Sequence, residues 1–137
     1  MTSTLKLNTL TGASTAGSIA VTGEGNSTTT NLQQGLVKSW VNFDGTASGA
    51  TARDSFNVSG MTDNATGDYT AAFSNSMANA NYSAMVACGD TGGTKSTRDE
   101  EILAIATGSV RLHIFHTNDE ADRDEAYVGG LVAGDLA

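Results

Sequence analysis

Hydrophobic and polar residues alternate in short runs through most of this chain. A period of two is typical of strands with one buried face. The two clearest runs are "DYTAAF" and "SVRLHIFH", and the residues that they predict to face a core are Tyr69, Ala71 and Phe73 in the first and Val110, Leu112 and Ile114 in the second. Both runs therefore predict half-buried strands.

The run "LVKSWVNF" carries apolar residues on both predicted faces. Alternation places Val37, Val41 and Phe43 on one face, with Leu36 and Trp40 on the other. Strands that are covered on both sides show this pattern. We therefore expect a strand here that has packing partners on each face.

Turn-forming residues separate these runs at short intervals. "DGTASGAT" is a loop by composition, "RDSFNVSGM" is one predicted strand, and "TDNATGD" predicts the connection of a hairpin. "TGGTKSTRDEE" predicts a long polar loop, in which "TRDEE" is a charged segment before a strand. The chain holds roughly seven or eight predicted strands and no predicted helix, a pattern that favours an all-β, antiparallel sandwich or barrel-like domain.

Residues 1–35 differ from the rest of the chain in composition. They are crowded with Thr, Ser and Gly, and their apolar residues form two alternating pairs, Leu5 with Leu7 and Ile19 with Val21. Each pair predicts one strand, in this subunit or in a neighbour, but the segment alone buries too little to offset its ordering entropy. A disordered tail is one interpretation; an extended arm that orders against partner subunits is the favoured one. The predicted domains are this arm, 1–35, and a β-sandwich body, 36–137.

Composition and charge limit the classes of partner. Hydrophobic residues make up 39% of the chain and charged residues 16%, so we expect part of the core to be shared between subunits. The net charge of −8 opposes binding to nucleic acid or to an anionic membrane surface. No apolar run is long enough to span a bilayer, and the start lacks the apolar region of a signal peptide, which predicts synthesis in a cytoplasm.

Candidate reactive side chains are few. Cys88 has apolar neighbours in "YSAMVACGD", which favours a buried structural thiol over a nucleophile. His113 and His116 lie three positions apart in a strand and so point to opposite faces, which favours surface or interface roles over a metal or catalytic pair. No phosphate-binding loop and no nucleophile elbow is present. We therefore predict no catalytic, cofactor-binding or metal-binding residues.

The densest acidic cluster is "NDEADRDE", residues 118–125. A calcium loop needs several oxygen ligands around one point and commonly contains a glycine. Here the glycine is missing and Arg123 interrupts the carboxylates. A solvated loop is favoured, and a calcium site is the alternative.

Several segments resemble a module found in tail-fibre and related virion proteins of tailed bacteriophages, especially marine ones. The segments are "KSWVNFDGT", "RDSFNVSGMTDNATGDYT" and "ANYS", and "SVRLHIFHTND" with "AYVGGLVAG" is similar to the closing hairpin of that family. The resemblance covers most of the chain, is specific to the module, and carries no catalytic residues. The long shaft of a classical fibre is missing here.

This resemblance implies a structural virion protein, made in a bacterial cytoplasm, with an extended arm and an intertwined homotrimer. Its expected partners are other tail or capsid proteins and a host-surface glycan or receptor, without nucleic acid, membrane insertion or cofactor. A short tail-fibre or tail-tip subunit is the leading expectation, a capsid decoration protein is the alternative, and a glycan-degrading enzyme is a distant third. The expected structural anchors are Trp40, Phe43, Phe56, Tyr69, Phe73, Tyr82 and Tyr127, and the expected polar ties are Arg53, Asp54 and Arg111. The polar loops 44–52, 90–101 and 117–125 are the expected contact surfaces.

Overall fold

The computed structural model describes residues 4–13, 19–23, 28–89 and 97–137. The chain divides into two units, residues 1–36 and residues 37–137. Every strand pairing within the described ranges is antiparallel, and those ranges contain no helix. No helix in them is long and apolar enough to cross a membrane.

The described residues of the first unit include one small hairpin. Strand β1 (Ala20–Thr22) pairs with β2 (Thr29–Asn31), with Val21 opposite Thr30. The strand predicted around Val21 is therefore present. Residues 4–13 form no strand in this chain, and Leu5 within them is 81% exposed.

The second unit is a sandwich of two four-stranded sheets. The first sheet has the order β4-β3-β10-β7, with β3 (Val37–Phe43), β4 (Ala52–Phe56), β7 (Ser83–Gly89) and β10 (Tyr127–Ala133). The second sheet has the order β5-β6-β9-β8, with β5 (Val58–Ala65), β6 (Asp68–Phe73), β8 (Arg98–Ala106) and β9 (Ser109–His116). The sheets pack against each other, which confirms the predicted all-β antiparallel fold class.

The core lies between these two sheets. The inward faces predicted for β6 and β9 are confirmed, since all six residues are buried: Tyr69, Ala71, Phe73, Val110, Leu112 and Ile114. The first sheet contributes Val41 and Phe43 from β3, and Val128 and Val132 from β10. Alternation thus identifies the core face wherever the strand pairing is regular.

The prediction for the start of β3 was wrong at Val37, which is exposed instead of facing the core with Val41. Ser39 pairs with Val132, and Val37 pairs with the next residue, Ala133, so the ladder skips Lys38. This β-bulge reverses the side-chain alternation for the residues before it. Consequently Lys38 and Ser39 are buried in place of Val37.

The run "RDSFNVSGM" forms two strands in different sheets and not the single predicted strand. Asn57 lies between β4 and β5 with a φ of +56°, a left-handed conformation that Asn tolerates better than most residues. Its amide nitrogen donates to the carbonyl oxygens of Lys38 and Asn75, both at 3.0 Å, and its amide oxygen accepts from the Asn75 N–H at 2.7 Å. Asn57 is therefore the corner that carries the chain from the first sheet to the second.

The predicted hairpin between β5 and β6 is present but turns more tightly than the composition indicates. Asp63 already pairs with Tyr69, and only Thr66 and Gly67 lie between the strands. Gly67 has a φ of +69°, and a Cβ there would collide with the carbonyl oxygen of Ile114. Both facts require glycine at this turn.

The charged segment "TRDEE" was predicted as loop, but β8 begins at Arg98. The inward-facing Arg98 forms an ion pair with Glu125, and Glu100 accepts a 3.0 Å hydrogen bond from the Cys88 N–H. Charged residues are tolerated on a strand's inner face when each one has such a partner. Residues 90–96 of the predicted contact loop lie outside the described residues.

Candidate functional site

Four large apolar side chains form a row across the outer face of the first sheet. The strand register aligns Phe56 with Trp40, Trp40 with Leu131, and Leu131 with Met85. We call these four residues the apolar row. Phe56 is 51% exposed, Leu131 39% and Met85 66%, and Trp40 is half-buried. A contiguous exposed patch of this kind is typical of a binding surface.

A shallow cavity of about 460 Å³ opens on this face beside the row. Trp40, Met85 and Leu131 line it, together with Ala87 and Gly129. Gly129 lies on the outward side of β10, two residues before Leu131. Because it has no side chain, the bottom of the cavity is not filled at this position. The lining is almost entirely apolar, so the cavity is suited to hydrocarbon groups.

The predicted aromatic anchors fall into two groups. Four lie inside the sandwich, where the Phe43 and Tyr69 rings meet edge to face at 4.9 Å and the Phe73 and Tyr82 rings do so at 6.0 Å. Edge-to-face pairs stabilise a core beyond the area that they bury.

The other three anchors, Trp40, Phe56 and Tyr127, lie on the outer face of the first sheet. Tyr127 is 49% exposed, and its ring supports the guanidinium of Arg53 at 5.0 Å from the ring centroid. Their exposure makes them part of a surface and not of the core.

Arg53 ties the loop after β3 to strand β4. It donates to the carbonyl oxygen of Phe43 at 2.9 Å and to the carboxylate of Asp44 at 2.8 Å. Hydrogen bonds from Thr46, together with the charge of Arg53, hold the pKa of Asp44 below its usual value. The other predicted tie in this strand, Asp54, accepts a local 2.8 Å bond from the Ser55 N–H of the same strand.

Arg111 is the polar tie on the outer face of the second sheet. It makes a two-pronged ion pair with Asp68, including a 2.7 Å bond from Nε. Asn64 donates a further bond to Asp68 at 3.1 Å. Arg111 and, to a smaller extent, Asn64 keep the pKa of Asp68 below its usual value. This cluster joins β5, β6 and β9 across the sheet.

The acidic loop is predicted to be solvated, and Glu125 departs from this prediction because it is buried, whereas Asp122, Arg123 and Asp124 are exposed. Asp124 accepts a 2.5 Å bond from the Tyr69 hydroxyl and a 2.8 Å bond from the Gly67 N–H. Glu125 is only 4% exposed, and its ion pair with Arg98 offsets the cost of burying its charge. Burial and the neighbouring carboxylate raise the pKa of Tyr69, so its hydroxyl remains a donor. The contacts of Asp124 and Glu125 with the strands thus attach the C-terminal end of the loop to the sandwich.

The two histidines contact different carboxylates. His113 lies between Glu101 and Asp122, with its ring nitrogens 3.0 Å and 2.9 Å from their oxygens. His116 approaches Asp119 at 3.8 Å. They do not converge on a shared point. In the described part of the chain, no group of three or more His, Cys, Asp or Glu side chains is placed to hold a metal ion.

Cys88 is half-buried at the edge of the core, and its sulfur lies 3.0 Å from the Glu100 carboxylate. Burial, followed by the hydrogen bond and charge of Glu100, raises the pKa of the thiol to about 12. A thiol at this pKa is almost wholly protonated at neutral pH and is therefore a poor nucleophile.

Sequence patterns did not single out Leu131, Met85 or Gly129. In "AYVGGLVAG" and "NYSAMVAC" the residues facing the core are apolar, and the residues on the opposite face are largely apolar as well. This second apolar face is the feature of the sequence that could have identified the three residues. The alignment of that face into one row depends on strand order, which pattern alone does not supply.

Comparisons with models of known protein families, with curated proteins and with solved structures find no match for this chain.

Proposed function

We propose that this chain is a structural subunit of a tailed-bacteriophage virion, which acts by binding and not by catalysis. In this proposal it forms a short tail fibre or tail tip that contacts the host surface. The resemblance of its central segments to the virion module supports the assignment, and an all-β antiparallel sandwich is compatible with it.

The main support for the assembly role is that large apolar side chains are exposed on both units. In the first unit Leu5, Leu7 and Leu10 are each more than half exposed. In the second unit the apolar row is exposed on an otherwise well-formed sandwich. Large apolar side chains gain about 1.5–3 kcal/mol each on full burial, so several of them provide a strong driving force for association.

The proposed assembly is a homotrimer in which residues 1–35 attach the subunit to its neighbours and to other virion proteins. A trimer supplies burial that the single chain lacks and covers sheet edges. The polar loops 44–52 and 117–125 then face outward and contact a host glycan or receptor. Their internal ties, from Arg53 to Asp44 and from Tyr69 to Asp124, hold these loops in fixed shapes.

Purified virions test this role. We expect the chain among the virion proteins, in a handful to a few dozen copies. Hundreds of copies would instead assign it to the capsid as a decoration protein, and its consistent absence from virions would refute the proposal. Turnover of a host polysaccharide by the purified protein would refute a purely binding role.

Deletion of residues 1–35 tests the arm. We expect the shortened chain to keep its β-sheet circular dichroism and to be lost from virions. Incorporation at the normal level would contradict the arm's role. Native mass spectrometry of the full chain is expected to show a trimer, and a stable monomer at micromolar concentration would contradict it.

A further inference from the structure

Gly129 and Gly130 are adjacent in β10, and packing within the sandwich explains why position 130 is glycine but not why position 129 is. A Cβ at Gly130 would lie 3.1 Å from a methyl of Leu112 and 3.3 Å from one of Val41, so the core of the sandwich itself favours glycine there. A Cβ at Gly129 would meet nothing closer than 4.0 Å, and its φ is not in the left-handed region. No described residue of the chain accounts for glycine at position 129.

A glycine inside a strand commonly marks a site where another backbone or ligand approaches closely. Gly129 is in the floor of the cavity next to Trp40 and Leu131. Because that cavity is almost entirely apolar, a sugar or a charged group would leave its polar atoms without partners there. The expected occupant is an aliphatic side chain on an extended backbone.

Residues 4–13, "TLKLNTLTGA", have this chemistry. Leu5 and Leu7 alternate with polar residues, Leu10 follows, and all three are exposed. An extended chain from Leu5 to Leu10 reaches at most about 17 Å, and the apolar row crosses three strand spacings, or about 14 Å. The segment therefore matches the row in length, and Leu5 and Leu7, which lie on the same side of an extended chain, face the row together. We call residues 4–13 the leucine segment.

Charge favours this segment over a second sandwich as the occupant. The chain has seven basic and fifteen acidic residues; one of each precedes position 37, so residues 37–137 carry six and fourteen. Two sandwiches placed face to face would therefore bring two strongly acidic bodies together. The leucine segment carries only the positive Lys6, and Asp54 lies in the row of side chains next to the apolar row.

We propose that the outer face of the first sheet binds the leucine segment of a second copy of this chain, with its backbone passing over Gly129. The inference deepens the proposed assembly role and rests on it. It assigns the surface and the segment through which neighbouring subunits are joined.

The first test is Gly129→Val in the full-length protein, with Gly60→Val as the matched control. Both positions have room for a side chain and lie in strands, but Gly60 is in β5 of the second sheet. We expect sedimentation velocity over a concentration series to show self-association of the wild type, weakened at least tenfold by Gly129→Val. The control should associate like the wild type, and neither variant should melt at a lower temperature.

The second test is the paired change of Leu5 and Leu7 to Ser. Both side chains are exposed, so their loss does not disturb a core, and we expect association to weaken at least tenfold. Weakening by Gly129→Val but not by the serine changes would overturn the leucine segment as the occupant and leave a sandwich-to-sandwich contact. Normal association of both variants, or a wild type that stays monomeric, would overturn the binding face.

Virion content separates this inference from the proposed function. A wild-type chain that is found in virions, with variants that associate normally, refutes only the binding face. A chain that assembles through Gly129 and the leucines but is missing from virions refutes only the virion assignment.

Discussion

The bond from Tyr69 to Asp124 offers a sharp test of how the acidic loop is held. In Tyr69→Phe the ring remains against Phe43, and the change removes only the hydroxyl, which donates to Asp124 at 2.5 Å and lies 3.3 Å from the Gly45 carbonyl oxygen. Hydrogen bonds to charged acceptors contribute about 1.5–3 kcal/mol. Asp124 is exposed and keeps its bond from the Gly67 N–H, which places the cost near the lower end, at about 2 kcal/mol.

The assay is thermal or urea unfolding followed by circular dichroism. For a domain of this size, about 2 kcal/mol corresponds to a fall in Tm of roughly 8 °C. Tyr127→Phe is the control, since that ring is half exposed and keeps its contact with Arg53, and its Tm should change by less than about 2 °C. Equal Tm values for Tyr69→Phe and the wild type would show that the loop is not fastened by this bond.

Three further outcomes are expected. Asp68→Asn should lower the free energy of unfolding by about 1 kcal/mol at pH 7. Because the pKa of Asp68 is lower in the folded protein than the ordinary value of 3.8, this stabilisation is present above pH 3.8 and is lost as the pH falls below that value. The melting curves of the variant and the wild type should therefore converge in acid. Asn57→Ala should cost about 2–4 kcal/mol and Asn57→Gly less, since glycine keeps the left-handed corner and loses only the side-chain bonds, and a reversed order in urea unfolding would contradict this account. Cys88, with a pKa of about 12, should react with a thiol reagent at pH 8 roughly a thousandfold more slowly than after unfolding in urea, and equal rates would contradict its shielding.

The sequence was most informative where a strand has regular pairing. In β6 and β9 the alternation identified every inward residue, because a pleated strand places side chains on opposite faces in turn. It failed at Val37, where a bulge adds one residue to the ladder. It also failed at Asn57, because a single left-handed residue redirects the chain and leaves the apolar pattern on both sides intact.

The charged residues and the binding face required three-dimensional information. "TRDEE" resembles a loop by composition, and it forms a strand because Glu125 and the Cys88 N–H, both distant in sequence, supply partners for its inward charges. Trp40 was identified as an anchor, but its alignment with Leu131 and Met85 follows from the insertion of β10 between β3 and β7. Nothing local in the sequence specifies that order.

The position of β10 has a consequence for how the protein folds. It lies between β3 and β7 in the first sheet, although it follows both of them in the chain. During synthesis β3 and β7 are therefore made before β10, the strand that pairs with both of them. Closing such long loops makes folding slow, and the waiting strands present unpaired edges that invite aggregation. We therefore expect substitutions in "YVGGLVA" to change the rate of folding as well as the final stability.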